Sequence, residues 1–324
     1  MTDLYPLKFT PIFKEKIWGG NKLEVYLKKN LNGMNHIGES WEISALEGNK
    51  TTVANGHLKG LIIDDLINRY GIRFLGENSM NQFGTTFPLL IKYIDANDDL
   101  SVQVHPDDNV AKQKHGSFGK TEMWYVLQSD KNARIINGFN TSISKKTYLK
   151  ALNSNDIFSV LEQQKVKKGD AIFIPAGRVH ALGKGVMVAE IQQASDVTYR
   201  IFDYNRKDKN GNVRELHIEQ ALDVIDFKKP EVLNTTYNLE KNKSNRLIYS
   251  DYFKTNILLV QGKITRAYKR LLSFKIYLIV EGNAVLKVNS NTWNLNMGDT
   301  ILIPAEIEQL EIKSRNAKIL EVFL

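Results

Sequence analysis

Two imidazoles, a carboxylate and an amide oxygen have the types and spacing of a metal site built from separate strands: His105, His180, Glu122 and Gln103. Gln103 and His105 stand two apart in LSVQVHPDD, an alternating apolar stretch. On a strand both side chains point to one face. Glu122 enters a second strand-like run, MWYVL, and His180 closes a third, DAIFIPAGRVH. Taken singly, a Gln or Glu in a strand reads as a hydrogen-bonded surface residue; the joint spacing carries the metal reading. Mixed nitrogen and oxygen donors suit a divalent ion such as zinc, and equally accept cobalt, nickel or manganese. The chain has no cysteine, so thiolate ligation and disulfides are excluded.

The elements that must position these residues are mostly strands. WEIS (41–44), PLLIKYI (88–94), LSVQVH (100–105), MWYVL (123–127), ARIINGF (133–139), DAIFIP (170–175), VMVAEIQQ (186–193) and VTYRIFDY (197–204) are short and bounded by turn residues. Helical patterns are expected within 60–70, 144–161 and 214–225. Strands this dense without βαβ alternation predict an all-β fold of antiparallel jelly-roll units, with a few helices inserted in the N-terminal part. The polar stretch 228–246 reads as a connection, which places one domain over 1–240 and a second over 241–324.

The second half echoes the first. Gly169–Pro175 and Gly298–Pro304 share the frame G-D-x-I-x-I-P, and each follows a pair of strand-like runs. Gly-Asp makes the turn, the alternating run the strand, and Pro ends it. The copies differ where chemistry would lie: Gln309 stands where the first copy has His180, and Phe274 is near the counterpart of Glu122. The second unit therefore reads as lacking a metal.

The formal charge is +8, from 44 Lys and Arg against 36 Asp and Glu. The basic residues are dispersed and form no nucleic-acid module, so the excess fits a small anionic substrate better than nucleic acid. No window approaches the ~20 apolar residues of a membrane span. The N-terminus has no signal-peptide pattern, and the cytoplasm is the expected compartment.

IGESWEIS (37–44), PLLIKYIDANDDLSVQVHPDD (88–108), GKTEMWY (119–125), PAGRVHAL (175–182) and AEIQQASDVTYRIFDYNR (189–206) together resemble the compact bacterial form of the type I mannose-6-phosphate isomerase (phosphomannose isomerase) family. GDAIFIPAGRVH resembles the second cupin motif. The resemblance implies two cupin-like units, one zinc per chain on Gln103, His105, Glu122 and His180, and interconversion of mannose 6-phosphate and fructose 6-phosphate. It implies that Ser101 and Lys120 contact substrate and that Glu190 and Arg200 are the active-site acid and arginine. The partner implied is a small phosphorylated sugar, met by a monomer or homodimer.

An aldose–ketose isomerisation through an enediol(ate) needs a base near C1 and C2, oxyanion stabilisation and a phosphate anchor. Glu190 is the expected base and Lys120, sharing a strand face with Glu122, the expected phosphate contact. Trp41 and Glu39 read as structural, and His36, His57, His115 and His217 as surface or loop residues. Two other readings compete: an iron-dependent cupin, against which Gln103 in place of a histidine argues, and a sugar-binding module with a structural metal.

Overall fold

Turn residues do close the strands. In the computed structural model, which describes residues 3–207 and 211–324, the first part of the chain forms β1 (Ile12–Gly20), β2 (Ile37–Ile43), β3 (Leu89–Ala96), β4 (Val102–Val104), β5 (Glu122–Ser129) and β6 (Arg134–Phe139). It continues with β7 (Leu161–Lys165), β8 (Ala171–Ile174), β9 (His180–Leu182), β10 (Val186–Gln193) and β11 (Tyr199–Phe202). These pair antiparallel into a six-stranded sheet, β8-β5-β10-β3-β2-β1, and a five-stranded sheet, β7-β6-β9-β4-β11. Ile94, Val126, Ile172 and Val188 of the first sheet meet Ile135 and Leu182 of the second in one buried cluster, so the sheets pack face to face.

The later strands are β12 (Ser244–Tyr249), β13 (Lys254–Ala267), β14 (Lys275–Glu281), β15 (Asn283–Val288), β16 (Asn291–Asn296), β17 (Thr300–Ile303) and β18 (Gln309–Phe323). They form one sheet, β12-β13-β18-β14-β17, with the β15–β16 hairpin added to the first half of β18. LEIK and AKILEVFL, two separately strand-like runs, are joined in the single long β18. Its register against β13 shifts between Val260 and Gly262, where the glycine takes φ +95°. The two halves of the bent sheet then close on a common core of Leu258, Val260, Ile279, Leu286, Ile312 and Ile319.

Alternation along the six-stranded sheet separates two tasks. Ile91, Tyr93, Met123, Tyr125, Ala189 and Ile191 lie in a core shared with Ile257, Ile276, Leu278, Leu320 and Val322 of the later sheet. The residues between them, Lys92, Glu122, Trp124 and Glu190, point the other way, as the period of two requires.

Helices depart from the sequence reading at their ends. Ile63–Tyr70 is helical, with Ile63, Leu66, Ile67 and Tyr70 buried on one stripe, and it stops at Gly71 with φ +49°. The expected helix over 144–161 is shorter, Lys145–Asn153, capped by Ser144; a 3₁₀ turn and the polar edge strand β7 take its remainder. Of 214–225 only Ile218–Leu222 is helical, and Arg214–His217 is irregular chain that returns alongside β11. No described helix is long and apolar enough to cross a membrane.

Candidate active site

His105, Glu122 and His180 meet as sequence spacing required. Each is buried, and one ligand atom from each lies within 4.8 Å of the others. Sheet register explains the meeting. His180 pairs directly with Gln103 across β9 and β4, and Glu122 begins β5 on the facing sheet, where it pairs with Ile174 of β8. His105 Nε2 stands 2.8 Å and His180 Nε2 3.4 Å from the same oxygen, Glu122 Oε1. The amide nitrogen of Gln103 lies 3.3 Å from His180 Nε2, and half a turn of the amide brings its oxygen to that place.

Several features suit this cluster to a cation. Burial, with the charges of Lys120 and His180 beside it, holds His105 well below the usual imidazole range, and burial likewise lowers His180. Burial thus favours the neutral form of both rings, the form that ligates. His180 donates from Nδ1 to the Arg178 carbonyl at 2.8 Å, which leaves Nε2 as a lone pair turned inward. Glu122 Oε1 and both ring nitrogens of His105 are buried without a hydrogen-bond partner. Such orphaned atoms are costly unless something binds them. One carboxylate with two imidazoles and an amide oxygen fits a divalent ion.

A cavity of about 330 Å³ adjoins the cluster at Gln103 and is lined also by Ser101, Lys120, Trp124, Glu190 and Arg200 among others. All the expected substrate residues are therefore on one wall or another. Glu190 faces Trp124 across β10 and β5 and Lys92 across β10 and β3. It accepts from Trp124 Nε1 at 2.9 Å and pairs with Lys92 Nζ at 3.0 Å. The same indole nitrogen reaches Glu122 Oε2 at 3.1 Å. Burial raises the Glu190 carboxyl despite Lys92, and the charge of Glu122 adds to the rise. Burial would raise Glu122 too, but the hydrogen bond with Glu190 and the charges of His180, Lys120 and Lys92 outweigh it and hold it below the usual carboxylate range. The two carboxyls are thereby pushed apart in proton affinity.

Lys120 makes one hydrogen bond, to Thr198 Oγ1 at 3.5 Å, and burial, with Lys92 nearby, lowers its proton affinity. Its position is set by the loop before β5. Asp107 caps helix Asp108–His115 by accepting from Val110 N at 2.9 Å, and Asp108 Oδ1 accepts from Gly119 N at 2.7 Å. A Cβ on Gly119 would come within 2.6 Å of the backbone at Asp107 and Asp108. The acidic pair after His105 thus docks the loop that delivers Lys120 and Glu122.

Sequence reasoning missed some of the site. Lys92, with no role assigned from its string, is buried and also donates to Gln192 Oε1 at 2.8 Å. Glu39 lines the cavity, held by Trp41 Nε1 at 2.7 Å. Trp41 is core, as expected. Arg214 lines the cavity too, although its segment read as helix. His115 is exposed and bonds Tyr199 at 2.8 Å, and His217, half-buried in irregular chain, accepts from Arg200 N at 3.2 Å through Nδ1.

The chain matches two family models: phosphomannose isomerase type I, catalytic domain, over residues 6–148, and mannose-6-phosphate isomerase, cupin domain, over 242–324. It is 36% identical to the mannose-6-phosphate isomerase of Streptococcus mutans, covering 94% of this chain and 93% of that one. It is 34% identical to a mannose-6-phosphate isomerase of Bacillus subtilis, ManA, covering 95% and 96%. The crystal structure of the mannose 6-phosphate isomerase from Bacillus subtilis superposes with a TM-score of 0.88 at 35% identity, over 99% of this chain and 100% of that chain. Likeness of this extent, together with the matched catalytic and cupin models, makes this chain a member of the type I phosphomannose isomerase family of aldose–ketose isomerases.

Proposed function

We propose that the chain interconverts mannose 6-phosphate and fructose 6-phosphate through an enediol(ate), with zinc held by Gln103, His105, Glu122 and His180. The observation that carries this reading is the buried convergence of His105, Glu122 and His180 beside a cavity lined by Lys120, Glu190 and Arg200. Bound there, a divalent ion supplies positive charge that polarises a sugar oxygen. Glu190 takes a proton from C2 or C1 and returns it to the neighbouring carbon, and its raised proton affinity suits a group that must hold that proton between steps. Lys92 and Trp124 fix the Glu190 carboxyl in one orientation. Lys120, beside the ligand cluster, and Arg200, on the strand next to Gln103, meet the negative charge of the substrate. Ser101 hydrogen-bonds a sugar hydroxyl. The chemistry belongs to residues 1–240, the unit over 241–324 carries no metal, and the enzyme works in the cytoplasm on a small phosphorylated sugar, as a monomer or homodimer.

Purified protein assayed for conversion of mannose 6-phosphate should turn over, lose activity to a chelator and regain it with zinc. Protein inert toward mannose 6-phosphate after zinc repletion would overturn the reading.

A further inference from the structure

Beside the cavity, three guanidiniums gather about one buried carboxylate. Arg214 grips Asp203 with Nε at 2.6 Å and Nη2 at 2.5 Å, and Arg206 Nη2 reaches the same carboxylate at 2.5 Å. Arg200 makes no bond to Asp203. Its Nη1 donates to the Glu215 carbonyl at 2.9 Å, and its Nε is buried with no partner. The segment carrying Arg214 is sewn to Arg200 twice more, by Arg200 N to His217 Nδ1 at 3.2 Å and His217 N to Arg200 O at 2.8 Å. Arg200 and Arg214 therefore form one fixed unit, and both line the cavity.

Charge in the cavity is uneven. Lys16 is paired with Glu39 at 3.3 Å and Lys92 with Glu190 at 3.0 Å. Lys120 stands among His105, Glu122 and His180, each of which feels its charge. Asp196, also on the cavity wall, acts on Lys92 and Lys120; Asp203 faces Arg200, Arg206 and Arg214, with Glu215 beside Arg200, so positive charge gathers at Arg200 and Arg214. These sit at and beyond β11, the edge strand outside the ligand-bearing β4. A hexose phosphate is built the same way: C1 and C2 react, and the dianion hangs on C6 at the other end. Arg214 spends Nε and Nη2 on Asp203, which fixes the plane of its fork.

We propose that Arg214, oriented by Asp203, forms with Arg200 a two-guanidinium subsite for a phosphate monoester dianion and sets the preference for phosphorylated over neutral hexose. The naming of that dianion as the 6-phosphate rests on the isomerase reading above. Lys120, expected from sequence to hold the phosphate, then serves the reacting end.

The test compares the zinc-loaded wild type with Arg214→Met and Arg214→Lys. A charge-assisted hydrogen bond lost from such a site weakens binding about 10- to 100-fold. Arg214→Met should raise KM for mannose 6-phosphate by that factor, change kcat less than about threefold, and weaken competitive inhibition by inorganic phosphate equally. Arg214→Lys, a point charge without the fork, should fall between. KM and phosphate inhibition unaltered in Arg214→Met would overturn the proposal, as would a loss confined to kcat. Calorimetric titration with inorganic phosphate separates the two readings. Arg214-dependent binding in a protein without isomerase activity would uphold the subsite and sink the isomerase assignment, and active wild type with Arg214-independent binding would do the reverse.

Discussion

The two halves place charged residues at the same points of the same strand framework and satisfy them in opposite ways. Ile174 pairs with Glu122 and Ile303 with Lys275, and the shared G-D-x-I-x-I-P frame makes Ile303 the equal of Ile174. Lys275 is therefore the counterpart of Glu122, one residue on from the Phe274 suggested by sequence. By the same register Tyr277 answers Trp124, Glu321 answers Glu190, and Asn256 answers Lys92. Glu321 is buried and accepts from Arg266 at 2.9 Å, from Tyr268 and Tyr277 at 2.9 Å each, and from Asn256 at 3.1 Å. The Lys275 ammonium rests on the carbonyls of Ser273 at 3.2 Å and Phe274 at 3.5 Å. The second half supplies its own cations to its buried acid. The first leaves donor atoms of His105 and Glu122 converging with no internal partner. A buried acid whose partners are internal is complete as folded; converging donor atoms without a hydrogen-bond partner are suited to bind a cation.

Substitutions can break this contrast. The largest effect is expected at a ligand. Glu122→Ala should abolish stoichiometric metal by elemental analysis and lower kcat/KM by more than the about 10–100-fold that losing a mere partner of a ligand costs. Lys275→Ala at the matching position should leave metal content and kcat/KM near wild type. Glu190→Gln should cut kcat about 10²–10⁴-fold with metal retained; its counterpart change, Glu321→Leu, should leave kcat intact in the folded fraction. That second change strands Arg266 and should destabilise by about 3–5 kcal/mol in denaturant unfolding. Full activity in Glu190→Gln, or a catalytic defect in Glu321→Leu, would invert the comparison.

The smallest effect is a pH dependence. Burial pushes the Lys275 amine down to about 8, against an ordinary value of 10.5. Below pH 8 both folded and unfolded states hold the proton. Between about 8 and 10.5 the unfolded state keeps it while the folded state has released it, so stability rises with pH there. Relative to Lys275→Met, the wild type should gain up to about 3 kcal/mol across that window in chemical unfolding. A constant difference between the two proteins over this range would show that Lys275 is not desolvated as placed.

Much of this was legible in the sequence because period-two alternation fixes faces. Gln103 with His105, and Lys120 with Glu122, needed only a strand to share a side. The Lys92–Glu190 pair was not legible, since partners almost a hundred residues apart are brought together by the β3–β10 register, which no local pattern encodes. Arg214 was hidden by helix propensity: RELHIEQAL has helical periodicity, but the bonds of Glu215 and His217 to Arg200 hold its first residues as irregular chain. The strand LEQQK (161–165) escaped because an edge strand with polar faces has little apolar alternation to read.

The pleat that aims Trp124 and Glu190 into the cavity also aims Met123, Tyr125 and Ile191 at the later sheet. Removing residues 241–324 would therefore lay bare the reverse side of the strands that carry Glu122 and Glu190. The C-terminal unit earns its retention as a lid on that greasy underside, and a shortened chain ending near residue 241 should be recovered as aggregate even with every ligand in place.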